Sequence, residues 1–232
     1  MSGQVGNVLS EMKELVRQRL DPLGCEDFGN GAFQSGHVPH IAPLKYLVTC
    51  YAGLDNEDIE PAEADCSRRI PQPYRDFLTV LNGAHILGIS LNGFDGRQID
   101  RSGAGIGQPV SLRYDNLFRA ESYIPEGHFG FGAINGPWYS QGVLYLASTG
   151  EVEMYHRDAD LIGARWPSFA DFLTQEIPRR FSLFNVDWTV NKEAKLLPGD
   201  TADWERIGEE HDKRRKADHS VLGKAKRLLK RS

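Results

Sequence analysis

The chain has 232 residues, 40% hydrophobic and 25% charged, with a formal net charge of −5. That length holds one sizeable core with extensions, and the composition is that of a globular protein. No window approaches the roughly 18 consecutive apolar residues of a membrane span. The charge is uneven. Residues 205–232 carry ten Lys/Arg against five Asp/Glu, whereas residues 1–204 carry seventeen against twenty-seven. An acidic body with a basic tail points the body toward positively charged partners. Cys25, Cys50 and Cys66 are odd in number and widely spaced, which reads as reduced thiols. The first residues lack the basic and apolar regions of a signal peptide, so the expected location is cytoplasmic.

In chain order, Val5, Val8, Leu9, Met12, Leu15, Val16 and Leu20 recur at helical spacing until Pro22. They predict an amphipathic helix that packs on the main domain or, in a sharper reading, meets a partner or second copy. Asp21–Pro43 gathers four glycines and three prolines and reads as a long irregular loop. Leu44–Tyr51 is an apolar run, either a strand or a short helix.

Asp55–Asp65 carries Asp55, Glu57, Asp58, Glu60, Glu63 and Asp65 with no Lys or Arg. Ile59, Ala62 and Cys66 share a helical face. The helix starts either at an Asp55/Asp58 cap or, because Pro61 removes a donor, with Glu60 as cap and Pro61 first. The charge run is a solvated face or a binding surface.

From Ile70 to Gly83, apolar Ile70, Tyr74, Phe77, Leu78 and Leu81 form one continuous helical face. Pro71 and Pro73 suit its entry and Asn82-Gly83 its left-handed exit. Ala84–Leu91 reads as a strand and Asn92-Gly93 as a hairpin-type turn. A Gly-rich loop around residues 103–107 follows. A short helix over Tyr114–Tyr123 is expected to pack through Leu117 and Phe118. Phe129–Ile134 reads as a strand with Gly130 and Gly132 marking a bulge, and Asn135-Gly136-Pro137 turns the chain. Gly142–Ala147 and Glu151–His156 make a hairpin around Thr149-Gly150. Ser168 caps a helix with Asp171 three residues on, whose apolar face is Phe169, Phe172, Leu173 and Ile177, before Pro178. Strands flanked by helices predict an α+β fold with an antiparallel twisted sheet packed against helices. The tail alternates Val221, Leu222, Ala225, Leu228 and Leu229 with basic residues; it reads first as a frayed or disordered end, and its pattern also fits a membrane surface, nucleic acid or the acidic body.

Motifs for chemistry are weak. Gly103, Gly105 and Gly107 miss the dinucleotide fingerprint, and no phosphate-cradling loop or nucleophile elbow is complete. His37 and His40 with Cys25 or Cys50 lack the paired ligands of a zinc site. His85 and His156 fall in strands and read as core or cross-strand residues. No cofactor, metal or catalytic residue is expected.

The order Ile70-Pro71, Tyr74, Phe77-Leu78, Asn82-Gly83, then Phe129-Gly130, the hairpin and Phe169, Phe172, Leu173 resembles the SMI1/KNR4 family of the SUKH superfamily. Ile70 stands where Leu is usual, and Leu54, Ile59 and Glu63 resemble the family's first helix. The resemblance runs from about Leu54 to Phe184. It implies an SMI1/KNR4-like domain over residues 44–184, between an extension at 1–43 and a basic tail at 185–232. It also implies binding rather than catalysis. Bacterial members are commonly immunity proteins that bind and neutralise the toxin domain encoded by a neighbouring gene, often one acting on nucleic acid. The first alternative is an intracellular scaffold or regulator, as fungal relatives are. The second is an enzyme with an unrecognised site. Charge and exposure nominate the contact residues: Asp55, Glu57, Asp58, Glu60 and Glu63, with Asp95 and Asp100, and Trp138 and Tyr139 as aromatic anchors.

Overall fold

In the computed structural model a helix, α1 (Ser2–Leu20), opens the chain and buries Val5, Leu9, Met12, Val16 and Leu20. The structure describes residues 2–40, 46–95, 106–118, 124–134, 142–156, 161–191, 193, 194, 198, 209 and 213. Among the described residues nine strands form a single sheet in sequence order, each antiparallel to the next. They are β1 (Cys25–Asp27), β2 (Phe33–His37), β3 (Tyr46–Ala52), β4 (Leu81–Ile86), β5 (Ile89–Leu91), β6 (Phe129–Ile134), β7 (Gly142–Leu146), β8 (Val152–His156) and β9 (Leu161–Trp166). Between β3 and β4 lie α2 (Asn56–Ala64) and α3 (Gln72–Val80), and α4 (Phe169–Phe181) follows β9. This is the α+β architecture that the alternation of strand and helix patterns predicts.

The main core lies where α1, α3 and α4 meet the sheet. Strand side chains alternate between faces, so Val48, Cys50, Ile86, Leu91, Phe131, Leu144 and Met154 reach the helices from successive strands. Tyr74, Phe77 and Leu78 of α3 are fully buried. Phe169 of α4 sets its ring edge-on to Tyr74, Phe77 and Phe131 at 5.4, 5.7 and 5.4 Å. Each such side chain contributes about 1.5–3 kcal/mol through burial, and ring pairs at this spacing about 0.5–1.5 kcal/mol more. The N-terminal helix packs on this core.

Several local expectations change. Asp21–Pro43 is not one loop: a 3₁₀ turn and strands β1 and β2 lie inside its described part, residues 21–40, with Gly24 ending the 3₁₀ turn, Gly29 and Gly31 between the strands and Gly36 within β2. Gly24, Gly29, Gly31 and Gly36 all have positive φ. Asn82-Gly83 does not end a helix. The chain becomes extended at Leu81 and runs straight into β4. Asn82 is buried, and its side-chain amide exchanges two hydrogen bonds with the backbone of Phe94, at 2.9 and 2.8 Å. Gly93 must lack a side chain, since a Cβ there would meet the Asn82 carbonyl oxygen at 2.2 Å. Asn92-Gly93 is therefore no hairpin turn. The hairpin lies earlier, at Leu87-Gly88, both with positive φ, and splits the expected strand into β4 and β5. Arg180, buried in α4, donates to the Leu87 carbonyl at 2.8 Å and holds that turn. α4 itself continues through Pro178 to Phe181.

The bulge lies at Gly130/Gly132 as expected, and the β7–β8 hairpin has the expected register around Thr149-Gly150. Ser168 caps α4, accepting from the Asp171 N–H at 3.1 Å. β9 is an addition that no pattern announced. In the described part of the expected Tyr114–Tyr123 helix, Tyr114–Phe118 form a π-helical turn, and residues 119–123 lie outside the described residues. Its polarity is inverted: Asp115 and Asn116 are buried, while Tyr114 and Leu117 are exposed.

Candidate functional site

α2 begins directly after Asp55, which stands in the extended conformation of an N-cap position. Pro61 is carried inside the helix, so the earlier of the two expected starts is the one adopted. Ile59 and Ala62 are buried against the core, which turns the acidic side outward. Asp55, Glu57 and Glu60 are exposed and Asp58 is half-buried. Glu57 and Asp58 stand in the first turn, where the helix dipole favours negative charge.

Glu63 faces differently. It accepts the Ile70 N–H at 2.6 Å and forms an ion pair with Arg75, so it clamps the α2–α3 connection. Asp95 is exposed and accepts a hydrogen bond from Ser111 Oγ at 2.6 Å. Asp100, Trp138 and Tyr139 lie outside the described residues.

A buried polar network stands behind this surface. The Tyr74 hydroxyl donates to the Asn92 and Phe131 carbonyls at 2.5 and 3.1 Å. Burial, with the Asp115 carboxylate nearby, raises its pKa well above the usual value, so it stays a neutral donor. The Asn92 amide donates to Asp115 at 2.7 Å. Ser67 donates to the Asn116 carbonyl, and the Arg68 guanidinium donates to the Ile124, Pro125 and His128 carbonyls at 2.9, 2.6 and 2.5 Å. Arg113 approaches Asp65 at 4.0 Å. The connection after α2 is thereby bound to residues 113–128. Sequence reading passed over these residues. The signal in the sequence is the pair of polar residues, Asp115 and Asn116, directly ahead of Leu117 and Phe118, through which the expected helix packs.

A cleft of about 650 Å³ opens between that connection and the β7–β8 turn, lined by Arg68, Arg69, Gln72, His128, Ser148 and Thr149 among others. His128 lies 3.4 Å from Glu153, which also pairs with Arg165 at 3.0 Å. Its other ring nitrogen faces the Glu126 carbonyl at 3.1 Å. Both neighbours of the ring are acceptors, an arrangement that holds the imidazole as a cross-strand link.

The histidines and cysteines weighed for zinc are dispersed. His37 stacks on Tyr46 at 5.1 Å, and His40 donates to the Asp187 carbonyl at 3.1 Å. Cys25 is exposed on the edge strand, while Cys50 is buried and its thiol is pushed up to about 12. Among the described residues no three His, Cys, Asp or Glu side chains gather as metal ligands.

The model of the SMI1 / KNR4 family (SUKH-1) matches residues 53–175, from the residues just ahead of α2 into α4. No curated protein and no solved structure gives a significant match. No helix among the described residues is long and apolar enough to cross a membrane.

Proposed function

This chain belongs to the SMI1/KNR4 family, and we propose that it is an immunity protein that binds and neutralises a cognate bacterial toxin domain. Domains of this family are broadly protein-binding modules of the immunity type and are generally non-enzymatic. One observation supports the extension to a toxin partner: Asp55, Glu57 and Glu60 stand exposed on α2, in a stretch with no Lys or Arg. A toxin that acts on nucleic acid has a basic cleft. An acidic, preformed helix matches such a cleft and is steered to it at increased rate. On this reading the contact face comprises α2 with Asp95 and, from the undescribed segments, Asp100, Trp138 and Tyr139. The protein acts in the cytoplasm, without a cofactor.

The test is co-expression of the full chain with the C-terminal domain encoded immediately upstream of it. Growth rescue together with a co-purifying complex is the expected result. Absence of binding to that domain, with both proteins folded, overturns the proposal and turns attention to a regulatory role.

A further inference from the structure

Residues 106–118 touch the chain both ahead of α2 and after it. They start with Ile106 packed on Tyr51 and Ala52, just ahead of that helix. They bridge to Gly93 at Ser111 and reach the far end of α2, where Arg113 approaches Asp65 and Ser67 donates to the Asn116 carbonyl. On this short segment Val110, Tyr114 and Leu117 are 42%, 47% and 39% exposed. Single exposed apolar residues are ordinary. Three within eight residues, with the intervening Leu112, Asp115 and Asn116 buried, form a patch.

The turn's polar side chains face inward and are hydrogen-bonded, Asp115 to Asn92 and Asn116 to Leu112 and Gly130. Tyr114 and Leu117 on the same turn are exposed. An amphipathic helix that served only the fold would have the opposite arrangement. Because the network anchors the turn, little conformational entropy is lost when Tyr114 and Leu117 meet a partner. Asp95, held by Ser111, stands at one side of the patch, and Asp65 stands 4.0 Å from Arg113 at the other. An apolar centre inside a charged rim is the anatomy of a protein interface.

We propose that the partner-binding surface is centred on Tyr114 and Leu117 and takes a protein presenting an apolar recess with a Lys or Arg placed to meet Asp95. This inference rests on the binding reading above and names the face that reading uses.

The experiment uses the full chain and the upstream-encoded toxin domain. Tyr114→Ala combined with Leu117→Ala weakens the complex about a hundredfold and leaves the unfolding midpoint unchanged. Val186→Ala, truncating a fully exposed apolar residue beyond α4, leaves affinity within about threefold. Amide hydrogen exchange of the wild-type complex shows new protection over residues 110–118, a readout that depends on no variant. A wild-type complex that lacks this protection, or that the double variant forms as tightly, overturns the inference alone. Failure of the wild-type chain to bind overturns it together with the immunity reading.

Discussion

The side-chain amide of Asn116 holds the backbone of Gly130 on both its groups, donating to the carbonyl at 2.7 Å and accepting from the N–H at 2.9 Å. It does for Gly130 what a residue on a paired strand would do. Asn116→Ala removes both bonds from a buried position, at about 1–3 kcal/mol per group left unsatisfied. Urea unfolding should show that loss. Asn82→Ala should behave alike, because Asn82 holds Phe94 in the same reciprocal way. A near-neutral result at both positions would show that these amides are dispensable.

Phe77 is fully buried and touches both Tyr74 and Phe169. Phe77→Ala should cost about 3–5 kcal/mol, the range for core aromatic truncation. Tyr74→Phe keeps the ring and loses only the hydroxyl, so its cost should be about 0.5–1.5 kcal/mol. Chemical denaturation of the two variants side by side separates packing from hydrogen bonding in the same cluster.

Charge reversal of Asp55, Glu57 and Glu60 to Lys should slow association with a basic toxin domain, most at low salt, and leave unfolding nearly unchanged. Glu63→Gln should do the reverse. It weakens the clamp on Ile70 and Arg75, costing about 1–2 kcal/mol of stability, with little effect on association. Stopped-flow association rates set against unfolding midpoints check both. Unchanged rates in the triple reversal would exclude α2 from the contact.

His85 lies on β4 beside the Tyr51 ring, and Thr49 and Ser90 are its cross-strand neighbours. Burial lowers its pKa from 6.5. Below pH 6.5 the unfolded chain therefore takes a proton that the folded chain still refuses, and stability falls with pH until the folded-state pKa is reached. His85→Gln should flatten this part of the stability profile. An identical slope in the variant would assign the acid sensitivity to other groups.

The three thiols differ in access. Cys25 is exposed, whereas burial pushes Cys50 up to about 12 and Cys66 up to about 11. Maleimide at neutral pH should modify Cys25 rapidly in the native protein and the other two only after denaturant is added. Mass spectrometry of the labelled peptides gives the answer directly. Prompt labelling of Cys50 would contradict its place on β3, buried in the main core.

Elements with their own strong periodicity were legible: α1, α3, the β7–β8 hairpin and the Ser168 cap each follow from spacing and capping chemistry. The elements misread were those whose role depends on distant partners. Asn82-Gly83 has the local signature of a helix exit, yet Phe94 draws Asn82 into the sheet. Asp115 and Asn116 have the composition of a solvated face, yet Asn92 and Gly130 hold them inside. β1 and β2 are short and stand among glycines, and only the pairing of β1 with β2 and of β2 with β3 makes them strands. The acidic character of α2 was visible at once, whereas the separate duty of Glu63 depends on Ile70 and Arg75 across a turn.

Because the strands pair in the order in which they occur, the sheet can be laid down as the chain emerges during synthesis, each strand templating on the one before it. The aromatic cluster follows a different schedule. Phe169 closes over Tyr74, Phe77 and Phe131, and it belongs to the last helix before the tail. A nascent chain that ends ahead of Trp166 thus has most of its sheet and an open hydrophobic cup, a species suited to chaperones and prone to self-association. Completion of α4 is the step that turns this intermediate into a finished protein.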